Sequence, residues 1–527
     1  MDVDSLSAEV AGAMVRAGSD TVFGLPGGGN NLSVVGAAEA AGMRFILTHT
    51  ESAAAIMAGT YAELSGAPAL CVVTRGPGAA SAVNGCAQAL LDRQPVVLLT
   101  DCVASAERDR VSHQWIDQTA LFSSVAKWSG VVGGTDPQET MDRALELAMR
   151  PPAGPVHLDF DPTAEGSVPP EPTTDSSDFN RGRLSELVAG ARRPVVLAGV
   201  GALAAQSQIR ALLSGRNVPV LTTYKARGVV ADSSPNYAGV LTGASIESPV
   251  IEAADLVIAI GLDAVELIPA RWIYRAPVVS IGAWGAEVDG FHPALEAVGD
   301  LGELVAAVAR DLNDDWEIGA ASQFRDAAAS EVRGDAAGLS PHYVVERSRA
   351  LSPAGTLATV DAGAHMLVAM PVWSTERSGE LLISSGLATM GFSLPAAIGA
   401  ALARPNRRVV CFVGDGGLGM TLAELETLVR LRLDVTVVVF NDSTLTLIAL
   451  KQRAEGQGGR RAVGYSPIDF SGVAASCGVP AWQVHAQSEF DSVFDRAIST
   501  AGPSLVDVRV DPTSYPDVIS AIRGRRQ

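Results

Sequence analysis

The segment GDGGLGMTLAELETLVRLRLDVTVVVFND, residues 414–442, decides the fold class of this chain. It continues a β-branched run, turns at Asp415 between glycines, and passes through a helical pattern over residues 422–432 into a second apolar run over 435–441. Strand, helix and strand in this order predict a right-handed βαβ unit with parallel strands. Asp415 and Asp442 should then lie at the carboxyl edge of one sheet, where open α/β sheets bind ligands.

The residue types at this edge suggest a cation and a phosphate. Two carboxylates one βαβ unit apart suit a hard divalent ion that completes its shell with phosphate oxygens and water. Gly416 and Gly417 would let the backbone approach a phosphate at the start of the following helix. The alternative is a tight strand-to-helix turn followed by a surface aspartate. The residue types alone do not decide between the two.

The rest of the chain repeats the α/β pattern. Short apolar runs that end in Gly, Asp, Asn or Thr alternate with Ala-rich helical stretches and predict buried parallel strands. These strands are 69–74, 96–101, 194–199, 256–261, 409–414 and 435–441. A Pro-rich polar stretch over 161–180 predicts a linker, and a charged, Ala-rich stretch over 311–340 predicts a helical connection. We therefore expect domains at 1–165, 182–312 and 340–527.

Composition narrows the classes of partner. The 527 residues are 47% hydrophobic, which excludes a disordered chain, and the net charge of −19 disfavours nucleic acid and anionic membranes. Five scattered cysteines form no CxxC pair, so neither a disulfide framework nor a zinc site is predicted. The acidic N-terminus lacks the pattern of a signal peptide, and no apolar run is long enough to span a membrane. These features predict a cytoplasmic protein.

The 414–442 segment resembles the diphosphate-binding signature of thiamine-diphosphate enzymes, which begins with GDG and ends in an Asn pair at a similar spacing. Other segments resemble acetolactate synthase catalytic subunits, in the order of that family and over nearly the whole chain. They include FGLPGGG (23–29), HTESAAAIMAGTYAELSG (49–66), TRGPGAASAVNG (74–85), GPVHLDF (154–160), ADLVIAIG (254–261) and SSGLATMGFSLPAAIGAALARPNRRVVCFVGDGG (384–417).

The resemblance implies a fold, two cofactors and an ion site. It implies three α/β domains: a pyrimidine-binding domain, a Rossmann-like middle domain and a diphosphate-binding domain. The implied cofactors are thiamine diphosphate and Mg²⁺, with the ion held by Asp415, Asp442 and the Thr444 carbonyl. Asp442 stands where the family usually has Asn, which adds a negative charge beside the diphosphate.

The resemblance also assigns residues that contact the organic cofactor. Glu51 matches the glutamate that hydrogen-bonds the aminopyrimidine ring, where a carboxylate favours a protonated ring nitrogen. Met390 matches the apolar residue that holds the two rings in a bent shape, and the Ala388 carbonyl would contact the pyrimidine. Without the motif, Glu51 would be a helix-end acid and Met390 core filling. The further implied contacts are Pro26, Gly27, Gly414, Gly416 and Gly417.

Residues on the substrate side depart from the family. In SHQWIDQTALF (112–122), Gln114 aligns with a glutamine near the reacting centre, while His113 and Trp115 replace its usual Phe and Glu neighbours. His113 could shuttle protons, or it could be an ordinary loop histidine. Arg75 stands where the synthases usually have Ser. It could anchor a substrate carboxylate, or it could pair with an acid across a subunit boundary.

The implied reaction makes or breaks a C–C bond next to a carbonyl. Decarboxylation of a 2-oxo acid with carboligation is the first candidate. The alternative is a simple 2-oxo acid decarboxylase or a 2-hydroxyacyl lyase. The strings TTYKARGVV and GLDAVELIP differ from their flavin-contacting counterparts and argue against FAD. The family implies a homodimer or homotetramer with sites at subunit interfaces. Two rivals are a non-catalytic cofactor-binding paralogue and a dinucleotide site at GVG (199–201), which lacks the third Gly.

Overall fold

A computed structural model describes residues 1–171, 179–267, 271–334, 336–456 and 458–524. Within these residues the chain forms three six-stranded sheets, one after another, and the strand pairs are parallel. The predicted α/β fold with three doubly wound sheets is confirmed. No helix in the described part of the chain is long and apolar enough to cross a bilayer.

The first sheet has the strand order β2-β1-β3-β4-β6-β5, so the order reverses between β1 and β3. Its elements are α1 (Val3–Arg16), β1 (Thr21–Leu25), α2 (Asn31–Ala40), β2 (Arg44–Leu47), α3 (Glu51–Ser65), β3 (Ala69–Val73), α4 (Pro77–Leu91), β4 (Val96–Asp101), α5 (Gln118–Phe122), β5 (Trp128–Gly133), α6 (Pro137–Met149) and β6 (Val156–Asp161).

The middle sheet has the order β12-β11-β10-β7-β8-β9. Its elements are α7 (Arg181–Gly190), β7 (Pro194–Ala198), α8 (Gln206–Leu213), β8 (Val220–Thr222), β9 (Tyr237–Val240), α9 (Ser248–Ala253), β10 (Leu256–Ile260), β11 (Val278–Gly282), β12 (Leu295–Val298) and α10 (Leu301–Asp311). Helix α11 (Ala320–Glu331) follows and fills the predicted helical connection.

The last sheet has the order β14-β13-β15-β16-β18-β17. Its elements are α12 (Pro341–Leu351), β13 (Leu357–Val360), α13 (Ala364–Val372), β14 (Leu381–Ile383), α14 (Ser393–Ala403), β15 (Val409–Gly414), α15 (Asp415–Thr421), α16 (Glu424–Leu431), β16 (Val435–Asn441), α17 (Thr446–Ala454), α18 (Phe470–Ser476), β17 (Ala481–Val484), α19 (Gln487–Ser499), β18 (Ser504–Arg509) and α20 (Tyr515–Arg523).

The prediction for the GDG segment needs one correction. We expected a Gly-rich turn and then a helix over 422–432, but helical structure begins at Asp415 itself as α15 and resumes as α16. Apolar packing explains the early start of the helix. The buried Leu418 of α15 and Leu425 of α16 pack into the same core, which places both helices against the sheet. Helix α15 therefore begins at the carboxyl edge of the sheet, where the Gly416 amide donates to Oδ1 of Asp415 across 2.7 Å.

The first and last domains pack helix against helix. A Cβ at Gly399 in α14 would lie 2.5 Å from the Met57 carbonyl oxygen in α3, so only glycine allows the two backbones to come this close. The middle domain joins them through two buried cations. Lys225 Nζ lies 2.7 Å from Glu63 of the first domain, and Arg227 donates to the Trp373 carbonyl of the last domain across 2.9 Å. Both cations lie in TTYKARGVV.

Candidate active site

The carboxyl edge of the last sheet brings Asp415 and Asp442 together. Asp415 follows β15 and Asp442 follows β16, and these strands are direct neighbours. The backbone N–H of Asp442 donates to Oδ2 of Asp415 across 3.1 Å, and that of Ser443 donates to the same oxygen across 2.6 Å. The Tyr465 hydroxyl also donates to Asp415. The two carboxylates are therefore held side by side.

Burial raises the pKa of both carboxylates. It raises the pKa of Asp415 above its usual range, although four donors oppose the rise. It also raises the pKa of Asp442 to about 6, with a further contribution from the negative charge of Asp415. Two carboxylates that share a partly dry site are stabilised in their ionised form by a cation. The donor set fits a hard divalent ion.

The ion would have few side-chain ligands. Among the described residues, no group of three or more His, Cys, Asp or Glu side chains is arranged to hold a metal. The candidate set is thus two carboxylates and the Thr444 carbonyl, with the rest of the shell left to water and a ligand oxygen. This composition is typical of Mg²⁺ sites that bind the ion together with a phosphorylated ligand.

A pocket of about 300 Å³ opens beside the two carboxylates. Eight of the residues singled out from the sequence line it: Ala388, Met390, Gly414, Asp415, Gly416, Gly417, Asp442 and Thr444. The structure thus brings the predicted residues of the last domain into one site. The Met390 methyl group would lie 3.4 Å from a Cβ at Gly416, so Met390 packs over the GDG turn.

His365 is a lining residue that the sequence analysis missed. Its ring is 4% exposed and stacks on Phe440, and its Nε2 has no hydrogen-bond partner among the described residues. Burial lowers the pKa of His365 to about 3, so the imidazole is neutral and can donate one hydrogen bond. A buried nitrogen without a protein partner, on a ring that lines the pocket, is a candidate partner for a ligand oxygen. The pocket therefore suits a diphosphate and its ion.

The residues predicted in the first domain lie at a different edge. Glu51 is the first residue of α3, capped by Thr50, and its Oε1 would lie 3.1 Å from a Cβ at Gly78. Gly27 packs against Thr74, where a Cβ would lie 2.3 Å from the hydroxyl oxygen. These residues gather at the carboxyl edge of the first sheet. Neither Glu51, Pro26, Gly27, His113 nor Gln114 is among the described residues that line the Asp415 pocket.

The segment 112–118 carries the predicted substrate residues, whose role stays a prediction. His113 and Gln114 are exposed, and Gln114 has a left-handed backbone with φ 58°. Gln118 is buried instead: its Oε1 accepts the Gly76 amide across 2.8 Å and its Nε2 donates to the Asp101 carbonyl across 3.0 Å. Nothing in the sequence separates these two glutamines. Gln118 ties the loop to the edge that carries Glu51.

Arg75 pairs within its own chain. Its Nε lies 3.7 Å from Oδ2 of Asp101, a carboxylate that is almost wholly buried, and Nη1 donates to the Cys102 carbonyl. This intrachain pair differs from the acid across a subunit boundary that the sequence analysis considered. Both alternatives for Arg75 stay predictions.

The middle domain uses its GVG segment for packing. A Cβ at Gly199 would lie 2.5 Å from the Gly261 carbonyl oxygen, and the Val200 amide donates to Glu266 across 2.8 Å. That amide is therefore already partnered by a protein carboxylate. Asp263 in GLDAVELIP forms a bidentate pair with Arg93 at 2.7 and 2.8 Å. The absence of a flavin stays a prediction.

Comparison with known proteins agrees with this geometry. Three models of the thiamine pyrophosphate enzymes match the chain: the N-terminal TPP binding domain at residues 5–121, the central domain at 182–308 and the C-terminal TPP binding domain at 361–508. Thiamine pyrophosphate is another name for thiamine diphosphate. The chain belongs to the thiamine-diphosphate-dependent enzymes.

Several relatives are acetolactate synthases. The chain is 29% identical over 522 residues to the large subunit of acetolactate synthase isozyme 2 of Escherichia coli (strain K12), a match that covers 95% of each chain. It is 28% identical to the acetolactate synthase of Bacillus subtilis (strain 168), over 97% of this chain and 93% of that one. It is also 28% identical to a catabolic acetolactate synthase of Raoultella terrigena. The similarity spans all three domains.

Proposed function

We propose that this enzyme uses thiamine diphosphate and Mg²⁺ to decarboxylate a 2-oxo acid and to transfer the remaining acyl unit to a carbonyl acceptor. The observation that carries the proposal is the juxtaposition of Asp415, Asp442 and the unpartnered His365 in one pocket under Met390. The similarity to acetolactate synthases over the whole chain supports the reaction class.

Each group in the pocket has a distinct task. Asp415, Asp442 and the Thr444 carbonyl would hold the ion, while His365 and the glycines Gly416 and Gly417 would border the diphosphate. Ala388 and Met390 would support the organic part of the cofactor. The bound cofactor supplies the electron sink that makes cleavage next to a carbonyl possible. The residues of the chain bind, orient and desolvate it.

We propose that two copies of the chain complete each site. Glu51 lies at the carboxyl edge of the first sheet and does not line the Asp415 pocket of its own chain. A second copy that places this edge over the pocket would bring a carboxylate to the organic cofactor, where Glu51 would hold a proton on the ring. A homodimer or homotetramer is therefore part of the proposal, as are the domain boundaries 1–165, 182–312 and 340–527.

Two questions remain open in the proposal: which bond is cleaved and what accepts the acyl unit, and whether the protein is catalytically active. A simple decarboxylase would use the same pocket and deliver a proton to the acyl unit, whereas a 2-hydroxyacyl lyase would use it to cleave the C–C bond beside the hydroxyl group without release of carbon dioxide. The presence of both Glu51 and Asp415 argues against a non-catalytic paralogue. We expect the enzyme to work in the cytoplasm on small carbonyl substrates, without nucleic acid or membrane partners.

The test is a screen of 2-oxo acids for release of carbon dioxide, with thiamine diphosphate and Mg²⁺ present and with or without an added aldehyde. Carboligation predicts a hydroxyketone product in which both carbonyl partners are joined. A free aldehyde as the product in both arms would instead establish a decarboxylase. Failure of the wild-type protein to bind thiamine diphosphate in the presence of Mg²⁺ would overturn the proposal.

A further inference from the structure

The loop that carries Ala388 and Met390 joins β14 to α14 without helix or strand of its own. Two of its residues have left-handed backbones: Ala388 with φ 52° and Gly391 with φ 79°. A left-handed conformation at alanine persists only when neighbouring contacts hold it. The position of Met390 in the pocket therefore depends on what fixes the two ends of this loop.

A carboxylate of the first domain fixes the start of the loop. Oδ1 of Asp92, the residue that follows α4, accepts the backbone N–H groups of both Ser385 and Gly386 at 3.0 Å. Asp92 is 3% exposed, and its Oδ2 accepts the amide of Gln88 at 2.7 Å. A Cβ at Gly386 would lie 2.5 Å from the Cβ of Leu91, so the loop rests directly on the end of α4.

A carboxylate of the last domain fixes the other end. Asp361, which is fully buried, accepts the Gly391 amide on Oδ2 at 3.1 Å and the Phe392 amide on Oδ1 at 3.3 Å. The same Oδ2 would lie 2.2 Å from a Cβ at Gly417, so Asp361 also supports the GDG turn. Asp361 thus holds the loop within its own domain, whereas Asp92 reaches it from another domain.

We propose that Asp92 is a positioning residue, which holds the loop between β14 and α14 so that Met390 supports the organic part of the cofactor. The inference rests on the proposed function, because it takes Met390 as a cofactor contact. Two charge-assisted hydrogen bonds to consecutive amides fix both the position and the direction of the backbone. The first domain therefore shapes the pocket of the last domain in the same chain, in addition to offering Glu51 to a second copy.

The proposal makes a prediction that separates positioning from general stability. Inorganic diphosphate with Mg²⁺ would occupy only the part of the pocket at Asp415, Asp442 and His365. Thiamine diphosphate with Mg²⁺ would also need the loop. Loss of the Asp92 carboxylate should therefore weaken binding of the complete cofactor selectively.

The experiment is calorimetric titration of the full-length protein with each of these two ligands at fixed Mg²⁺. We expect Asp92→Ala to weaken thiamine diphosphate binding by about tenfold or more, since two hydrogen bonds are lost, and to change inorganic diphosphate binding by less than about twofold. Asp92→Asn should restore most of the affinity, because the amide oxygen still accepts both N–H groups and Gln88 can turn its own oxygen towards the new NH₂ group.

A second variant and a matched control complete the design. Gly386→Ala should reproduce the selective loss, because the added Cβ pushes the loop off Leu91 while Asp92 stays intact. Asp232→Asn removes half of an ion pair with the fully buried Arg227 and touches no residue of this loop, so it should lower the melting temperature without the selective loss. Equal weakening of both ligands by Asp92→Ala and Gly386→Ala, or a selective loss in Asp232→Asn, would overturn the inference. Failure of the wild-type protein to bind thiamine diphosphate would instead count against the proposed function.

Discussion

The backbone N–H of Asp442 donates to the carboxylate of Asp415 across 3.1 Å, although the two residues are 27 positions apart in the chain. This hydrogen bond joins the ends of β15 and β16 and leaves the Asp442 carboxylate in the same pocket as Asp415. One carboxylate thus orders the backbone that carries the other. Removal of Asp415 should consequently affect the position of Asp442 as well as the charge of the site.

Asp415→Ala should abolish binding of thiamine diphosphate in the presence of Mg²⁺, because the charge of the diphosphate is held largely through the ion. Calorimetry with and without chelator measures this directly. Asp434→Ala is a suitable control, since Asp434 precedes β16, at the opposite edge of the sheet, and its side chain is half-exposed. Undiminished binding of the cofactor by Asp415→Ala would refute the assignment of the ion site.

Asp442→Asn should still bind Mg²⁺ but with lower apparent affinity. At an effective dielectric constant near 20, attraction between opposite unit charges at about 2 to 4 Å exceeds repulsion between like charges at roughly 5 to 6 Å. Loss of the carboxylate therefore costs more in attraction to the ion than it gains in reduced repulsion of the diphosphate. Titrations of Mg²⁺ at a fixed cofactor concentration provide the measurement. Superimposable curves would mean that Asp442 is not an ion ligand.

Glu51→Gln should retain the fold and most of the cofactor affinity but lose turnover by about 100-fold or more, the usual contribution of a group that handles a proton. The amide cannot stabilise a proton on the ring of the bound cofactor. Its small size change leaves the contact with Gly78 intact. Exchange of the C2 proton of the bound cofactor, followed by NMR, should slow in parallel. If the variant exchanges this proton at the wild-type rate, Glu51 is only an acidic residue at the start of a helix and has no role in the reaction.

Glu266→Gln should remove a pH dependence of stability. Burial raises the pKa of Glu266 from its ordinary value of 4.5 to about 7. Between these values the folded protein keeps a proton that the unfolded chain has lost. The resulting stabilisation is present below pH 4.5 and disappears as the pH rises through about 7.

The wild-type protein should therefore lose about 1 to 3 kcal/mol relative to Glu266→Gln between pH 5 and pH 8. Glutamine fits the site because its oxygen can accept the Val200 amide while the Thr223 hydroxyl turns to accept its NH₂ group. Thermal unfolding of both proteins across this range measures the difference. Parallel pH profiles would contradict the raised pKa of Glu266.

Local sequence pattern was enough to predict the sheet edge at which Asp415 and Asp442 meet. The apolar runs at 409–414 and 435–441 coincide with β15 and β16, and a right-handed crossover leaves little choice about which ends of the strands meet. The helical start at Asp415 was not predicted, because glycines around an aspartate are equally typical of a loop. The contacts of Leu418 with the core favour the helix over the loop.

Contacts between residues far apart in the chain could not be predicted from the sequence. Tyr465 reaches Asp415 because the chain returns to form a backbone bridge between Thr444 and Gly464. No motif at Thr444 or Gly464 predicts this bridge. His365 follows β13, a neighbour of β15 in the sheet, so only the strand order places its ring in the pocket. Such proximity depends on which strands are adjacent, which no short segment encodes.

The sequence by itself determined the fold class, the family and the pair of carboxylates at the candidate ion site. Hydrophobic periodicity and motif spacing are local properties that can be read without a three-dimensional structure. Only the tertiary structure decided that Arg75 pairs with Asp101 in its own chain and that Asp92 holds the loop of Met390. Both depend on how whole domains pack. That packing minimises exposed apolar surface and unpaired buried polar groups over the entire molecule, so it cannot be derived from any single stretch of sequence.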